Sequence, residues 1–167
     1  MSPRRLALPF SFLLAVTATP AQQSQPAAGC IFCDKPAEHR DQQNFILHRA
    51  RLNFVILNLY PYTSGHLMIV PYSHVATLDE AGPDVRAEMI ELAARAETLL
   101  RAAYRPEGLN MGLNLGKCAG AGIAAHLHLH VLPRWTGDAN FMSVIGETRV
   151  IPEYIPTTYA KLRSGWT

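Results

Sequence analysis

Three histidines alternate with two leucines in the segment 126–130. Successive side chains of an extended strand point to opposite faces, so the imidazoles of His126, His128 and His130 would share one face and the leucines the other. A neutral imidazole nitrogen is a good nucleophile toward phosphorus, and the bond that it forms is labile enough to break again. The pattern therefore predicts nucleophilic chemistry on a phosphate ester. From spacing alone, a surface polyhistidine strand and a plain metal site are the alternatives.

A loop of small residues leads directly into this segment. It contains Gly116, Gly120 and Gly122 among alanines, and Asn114 precedes it. Residues without bulky side chains leave their backbone amides accessible to a phosphate. A glycine-rich loop is weak evidence when it stands alone, but its position next to the histidines makes it a candidate phosphate-binding loop.

Two cysteines, Cys30 and Cys33, are separated by an isoleucine and a phenylalanine. This spacing is typical of a metal knuckle or of a redox pair, and two buried cysteines can also share it by chance. The residues between the thiols do not resemble thioredoxin-like motifs, which favours the metal. By residue type and position, His74 and His126 are the best candidates to complete it, and two thiolates with two imidazoles form a closed, structural zinc site. Cys118 is interpreted as a loop cysteine.

Hydrophobic patterning predicts the elements that must position these residues. Branched and aromatic runs bounded by polar residues predict strands, which short turns would make antiparallel. Apolar residues at steps of three and four predict one helix, preceded by Pro83 and ended by Pro106. The predicted helix covers 84–104, and the predicted strands cover 45–48, 53–59, 66–70, 109–115 and 126–132. The predicted fold class is α+β. Tyr60 and Tyr62 flank a turn and are expected to pack on the core, with packing on an adenine as the alternative.

Composition indicates one domain and a small ligand. The chain has 167 residues, 49% of them apolar, which is enough for one ordinary core. Charged residues make up only 17% and the net charge is +2, so there is no strong field for binding long nucleic acid. A small anionic ligand remains compatible with this balance.

The first 29 residues are expected to be a leader that precedes a domain at 30–167. Two arginines come before an apolar stretch at 6–18, and a linker rich in proline, glutamine and alanine follows at 20–29. This is the layout of a secretory signal. The apolar stretch is short for a membrane helix and Pro9 interrupts it, and no other stretch of the sequence comes close to one.

The segment from His126 to Leu132 resembles the histidine triad pattern, in which three alternating histidines are followed by two apolar residues. The resemblance continues through the strand, turn and strand between Asn58 and His74, and it extends from Cys30 to about Pro152. The chain is identified by this resemblance as a member of the histidine triad (HIT) superfamily. The resemblance implies a HIT-like fold, an antiparallel sheet of about five strands with one main helix, and a homodimer.

Within the superfamily, the segments 133–142 and 146–150 are similar to the diadenosine tetraphosphate phosphorylase-like branch. The paired cysteines resemble the zinc site of this branch and of galactose-1-phosphate uridylyltransferase. Carried over residue by residue, the resemblance implies a nucleotidylated nucleophile at His128, a ribose contact at Asn58, and phosphate-side positions for His66, Asn114 and His130. It implies structural zinc at Cys30, Cys33, His74 and His126.

The implied reaction is a double displacement on a small nucleotide such as diadenosine tetraphosphate, with water or inorganic phosphate as the acceptor. One departure from the pattern concerns 121–125, which lacks the glutamine and the serine or threonine that many members carry before the triad. Phosphate contacts are therefore expected from backbone amides around Gly120 and Gly122. The alternatives are a nucleotide-binding sensor without turnover, a purine nucleoside phosphoramidase-type hydrolase, and a zinc hydrolase that uses the histidines as open-site ligands.

The expected compartment is the cytoplasm, because a nucleotide-handling enzyme with free cysteines fits a reducing environment. The signal-like leader favours export instead. A misplaced start upstream of the true domain would also produce an unrelated leader.

Overall fold

Five antiparallel strands form one sheet in the computed structural model, which describes residues 29–140 and 152–166. The strand order is β1-β2-β3-β5-β4. The elements in chain order are α1 (Ile31–Ala37), α2 (Asp41–Asn44), β1 (Ile46–Arg49), β2 (Asn53–Leu57), β3 (Leu67–Pro71), α3 (Leu78–Tyr104), β4 (Gly108–Leu113), a 3-10 helix (Lys117–Ala119), β5 (Leu129–Arg134), α4 (Ile155–Arg163) and a second 3-10 helix (Ser164–Trp166). The predicted α+β class, with about five strands and one main helix, is confirmed.

The two central strands β2 and β3 are buried on both faces of the sheet. Alternate residues of these strands pack with α3 in the larger core, as Val55 and Ile69 do. The residues between them, such as Phe54 and Val70, pack with Phe32 of α1 in a second core on the other face. One face of the sheet is therefore covered by α3 and the opposite face by α1.

Helix α3 begins six residues before the predicted start at 84. The Thr77 side chain accepts a hydrogen bond from the Glu80 backbone N–H, and the Glu80 carboxylate accepts one from the Thr77 N–H, which is a capping box. Gly82 then adopts φ +74°, so the chain bends before Pro83 starts the longer segment. The prediction found this second segment and missed the capped first turn.

The predicted strand at 126–132 is wrong at its beginning, since β5 starts at Leu129. His126 and His128 lie in the segment that leads into the strand. The alternation of faces nevertheless extends into this segment, because the Leu127 backbone N–H donates to the Val75 carbonyl at 2.6 Å and Leu127 joins the core beside α3. Tertiary contacts, and not ladder hydrogen bonds, keep the first two histidines on the face opposite α3.

Three short helices, α1, α2 and α4, were not predicted. Most of the predicted leader, and the similarity segment at 146–150, lie outside the described residues. Among the helices of the described part, none is long and apolar enough to cross a membrane.

Gly65, in the turn between β2 and β3, requires the absence of a side chain. Its φ is +82°, and a Cβ there would lie 2.9 Å from the Tyr104 ring. We expect Gly65→Ala to lower the free energy of unfolding by about 2 kcal/mol through backbone strain and overpacking. Denaturant unfolding measures this change. Gly108→Ala is the control, because its Cβ would meet nothing within 4 Å, and equal stability of the two variants would contradict the prediction.

Candidate functional site

Cys30, Cys33, His74 and His126 come together as one potential metal site. Their ligand atoms all lie within 4.8 Å of one another. The Cys30 sulfur is 3.3 Å and the Cys33 sulfur 3.6 Å from Nδ1 of His126, and the Cys33 sulfur is 3.4 Å from Nδ1 of His74. The four ligands come from the N-terminal end of α1, the loop between β3 and α3, and the segment before β5, so the site ties three parts of the chain together.

The chemistry of these donors fits a metal ion. Bonds of about 2.0–2.3 Å from a tetrahedral zinc would separate its ligands by roughly 3.3–3.8 Å, close to the nearest pairs in the cluster. The ring atom Nε2 of His126 is 2.9 Å from the Pro71 carbonyl oxygen, so it carries the proton and donates. Nδ1 of His126 is therefore left with a lone pair, which faces Nδ1 of His74 at 3.2 Å. This lone pair can accept a hydrogen bond from Nδ1 of His74 and is also available to a cation.

His128 is held in one tautomer by the backbone. Its Nδ1 is 2.8 Å from the carbonyl oxygen of His126, which can only accept, so Nδ1 is protonated. The other nitrogen, Nε2, is therefore unprotonated in the neutral ring. Phe32 packs against this ring with centroids 5.1 Å apart and against the His126 ring at 5.5 Å. Phe32 was not predicted to contact the site, although its position between the two cysteines indicates that it lies close to it.

His130 belongs to a second hydrogen-bonded chain. Nδ1 of His66 faces two donors, the Tyr62 backbone N–H at 3.2 Å and the Asn58 side-chain amide at 3.3 Å, so it accepts. Nε2 of His66 then donates to Nδ1 of His130 at 2.9 Å. The remaining nitrogen of His130, Nε2, carries a proton that can be donated to an anion. The ring centroids of His128 and His130 are 4.9 Å apart, so the two imidazoles are neighbours.

Burial keeps these histidines neutral. Desolvation, with a smaller contribution from the neighbouring rings, lowers the pKa of His66 to about 3 and that of His130 to about 4. Desolvation also lowers the pKa of His126 to about 4, although its hydrogen bond to the Pro71 carbonyl opposes this shift. A neutral ring is the form that binds a metal or donates a single proton, as the hydrogen bonds require.

Asn114 and the glycine loop are the predicted phosphate-side positions. Leu113 pairs with Leu129 in the sheet, and continuing that register places Asn114 opposite His128. The Gly120 N–H donates to the Lys117 carbonyl, so this amide is already engaged. Among the described residues, the amide of Gly122 and the amides at 123–125 have no hydrogen-bond acceptor. The Gly122 amide, a predicted phosphate contact, is therefore available as a donor, whereas the Gly120 amide is not.

Two tyrosines differ from expectation in their surroundings, and Asn58 contacts one of the site histidines. Tyr60 is 84% exposed and Tyr62 50% exposed, so the prediction that they pack on the core is wrong. Tyr62 instead covers the His66 ring, with centroids 4.6 Å apart. Asn58, expected near a ribose, uses its amide on His66 and its carbonyl oxygen on the Tyr60 N–H. Its observed contacts orient the histidine chain.

The HIT domain family model matches residues 39–137. The AP-4-A phosphorylase of Mycobacterium tuberculosis is 43% identical over 126 residues, which are 75% of this chain and 65% of that protein. The chain thus spans just under two thirds of the length of this curated relative.

Two solved structures share the fold with a TM-score of 0.66 each. One is a zinc-bound histidine triad family protein from Mycobacterium smegmatis, 26% identical, with 83% of this chain and 93% of that chain covered. The other is a hypothetical histidine triad nucleotide-binding protein from Sulfolobus tokodaii, 25% identical, with 81% and 91% covered.

Removing one thiol tests the metal site. We expect Cys33→Ala to abolish stoichiometric zinc in the purified protein and to lower the melting temperature, because three ligands hold the ion less firmly and α1 loses its cross-link. Elemental analysis and thermal unfolding are the measurements. Cys118→Ala is the matched control, since this exposed thiol lies outside the cluster. Full zinc content in Cys33→Ala would contradict the assignment.

The low pKa of His66 makes stability depend on pH. In the unfolded chain this histidine binds a proton below about pH 6.5, whereas in the folded protein its pKa is about 3. Stability is therefore lost as pH falls from about 6.5 toward 3, by up to about 1.4 kcal/mol per pH unit from this residue. Replacing it by glutamine, which can still donate to His130, should reduce the slope of the unfolding free energy between pH 4 and 6 by about that amount. An unchanged slope would show that His66 is protonated in the native state.

Proposed function

Because the chain belongs to the HIT domain family, we propose that it is a nucleotidyl hydrolase or transferase that cleaves dinucleoside polyphosphates such as diadenosine tetraphosphate. The observation that carries the proposal is the hydrogen bond from Nδ1 of His128 to the His126 carbonyl, which leaves Nε2 as a lone-pair nucleophile. The neutral His130 ring is its neighbour, with ring centroids 4.9 Å apart, and the loop before the histidines carries unengaged amides at 122–125.

In the first step, Nε2 of His128 attacks the α-phosphorus of the nucleotide. A nitrogen–phosphorus bond forms, and the bond from phosphorus to the bridging oxygen breaks, so that a nucleoside triphosphate leaves. The protonated Nδ1 of His128 stays on the His126 carbonyl, which stabilises the positive charge that develops on the ring. The product of this step is a nucleotidyl-histidine.

Charge on the transferred phosphoryl group is stabilised by uncharged donors. The Nε2–H of His130 is held in place by the hydrogen bond that His66 donates to Nδ1. The backbone amide of Gly122 is proposed as a second donor, with Gly120 and Asn114 as the other phosphate-side positions that the family resemblance implies. Arg134 is not part of this set, because its guanidinium is engaged by Asp138 and by the Asn110 side-chain oxygen.

In the second step, inorganic phosphate or water attacks the phosphorus and the bond to His128 breaks. Phosphate yields the nucleoside diphosphate and water the monophosphate. The similarity to an AP-4-A phosphorylase supports phosphate as the acceptor.

Zinc is proposed as a structural ion at Cys30, Cys33, His74 and His126. All four places are taken by protein ligands, so the ion supplies a cross-link and not an activated water. Its effect on chemistry is indirect, because it fixes the residue whose carbonyl orients His128.

A homodimer is part of the proposal. Strand β4 is at the edge of the described sheet, and Met111 on it is 42% exposed. An exposed edge with unpaired backbone groups favours pairing with a second copy.

The proposed compartment is the cytoplasm, where nucleotide substrates and reduced thiols coexist. Export is the alternative, because the signal-like segment lies outside the described residues.

Product analysis tests the function. Diadenosine tetraphosphate is incubated with the protein, with and without inorganic phosphate, and the products and the intact protein mass are measured. We expect ADP and ATP with phosphate and, in a rapid quench, an adenylyl adduct on His128. His128→Asn should lose activity by roughly a thousandfold or more, whereas the exposed His39→Asn should not.

The outcomes separate the alternatives. AMP with ATP in the absence of phosphate indicates a hydrolase. Tight nucleotide binding without adduct or turnover would overturn the enzyme and favour a sensor. Faster cleavage of an adenosine phosphoramidate than of the dinucleotide would favour the phosphoramidase.

A further inference from the structure

We propose that Glu153, just before α4 and outside the histidine cluster, is a positioning residue that holds His66 and thereby His130 in their donor and acceptor roles. The inference rests on the proposed function for its catalytic consequence. Its structural basis is a set of contacts from the segment 152–166 to the turn between β2 and β3.

The turn between β2 and β3 presents His66 to the site. Its ends are joined by a hydrogen bond from the Asn58 N–H to the His66 carbonyl, and the His66 N–H donates to the Thr63 carbonyl. The Tyr62 N–H, from the same turn, donates to Nδ1 of His66. The tautomer of this ring therefore depends on the conformation of the turn.

Glu153 contacts this turn directly at Ser64 and, through Tyr104, at Gly65. The Glu153 backbone N–H donates to the Ser64 hydroxyl at 2.9 Å. Its carboxylate accepts a hydrogen bond at 2.5 Å from the Tyr104 hydroxyl. The Tyr104 ring lies directly against Gly65, where a Cβ would approach it to 2.9 Å. Glu153 thus holds both residues that precede His66, one directly and one through Tyr104.

The carboxylate of Glu153 is fully engaged by donors. Besides Tyr104, the Thr158 hydroxyl donates to it at 2.9 Å and the Lys161 ammonium at 2.5 Å. Burial opposes ionisation, but the hydrogen bonds from Lys161, Tyr104 and Thr158 outweigh it and lower the pKa of Glu153. Burial and the bond to this carboxylate raise the pKa of Tyr104, so the phenol remains a donor. The ionised carboxylate of Glu153 and the neutral phenol of Tyr104 are therefore the forms that make this hydrogen bond.

A small cavity lies where the two segments meet. Asn58, Ser64 and His66 line it from the turn, and Glu153, Ile155 and Thr158 line it from the other side. Loss of the carboxylate would release Tyr104 and the N-terminal end of α4 together, and the turn would have room to relax. Nδ1 of His66 would then lose its fixed donors, and both tautomers of the ring would be populated.

The experiment compares Glu153→Ala with Glu153→Gln, which retains an acceptor for Tyr104, in the zinc-loaded full chain. Glu97→Ala is the matched control, since it removes a carboxylate that pairs with Arg101 on the exposed side of α3. Histidine ring nitrogen NMR reports the tautomers of His66 and His130, and turnover of diadenosine tetraphosphate reports kcat and KM. Ser64→Ala is a milder variant that removes only the acceptor for the Glu153 N–H, should Glu153→Ala fail to fold.

We expect Glu153→Ala to give exchange-averaged His66 and His130 signals and to lower kcat about tenfold with little change in KM, as expected for misplaced groups. Glu153→Gln should restore most of the fixed tautomer signals and most of kcat. Fixed tautomers and unchanged kcat in Glu153→Ala, with only a lower melting temperature, would overturn the inference. Absent turnover in the wild type would instead contradict the proposed function, while the NMR signals would still decide the role of Glu153.

Discussion

The hydrogen bond from Nδ1 of His128 to the carbonyl oxygen of His126 is the contact on which the chemistry of this site depends. A free imidazole exchanges its proton between two nitrogens, and only the unprotonated one can attack phosphorus. The carbonyl removes this ambiguity without a charged partner. The His126 ring in turn is fixed by the Pro71 carbonyl and by its place among the two cysteines and His74. His126 thereby couples the potential metal site to the proposed nucleophile, His128.

The tautomer of His130, at the other end of the triad, is also fixed by hydrogen bonds, but these come from a side chain and not from a backbone carbonyl. His130 is oriented by another histidine, and that histidine is oriented by backbone and amide donors of a turn. Burial is the common condition, because it lowers the pKa values of His66 and His130 and keeps the rings neutral. A neutral imidazole that accepts a hydrogen bond at one nitrogen must carry its proton on the other. The donors of the turn therefore fix the tautomer of His66, and His66 fixes the tautomer of His130.

The sheet provides the rigid surface that both arrangements need. Because β2 and β3 are buried on both faces, their residues alternate between the core beside α3 and the face that α1 covers. The histidines lie on the second face, close to Phe32. The long helix is thus a packing element. The short helix α1, with its two cysteines, borders the site directly.

The amino-acid sequence by itself determined the fold class, the three-histidine face and the four metal-ligand candidates, because these depend on residue type and on local periodicity. Leu127, Leu129 and Val131 alternate with the histidines whether or not a strand has formed, so the prediction of faces held although β5 begins at Leu129. Only the tertiary structure decided the partners of Asn58, the exposure of Tyr62, the role of Phe32 and the contacts of Glu153 with the turn. These depend on pairs of residues far apart along the chain, such as Ser64 and Glu153, which are 89 positions apart. Periodicity records which face a side chain occupies, but it carries no information about which distant donor meets which acceptor.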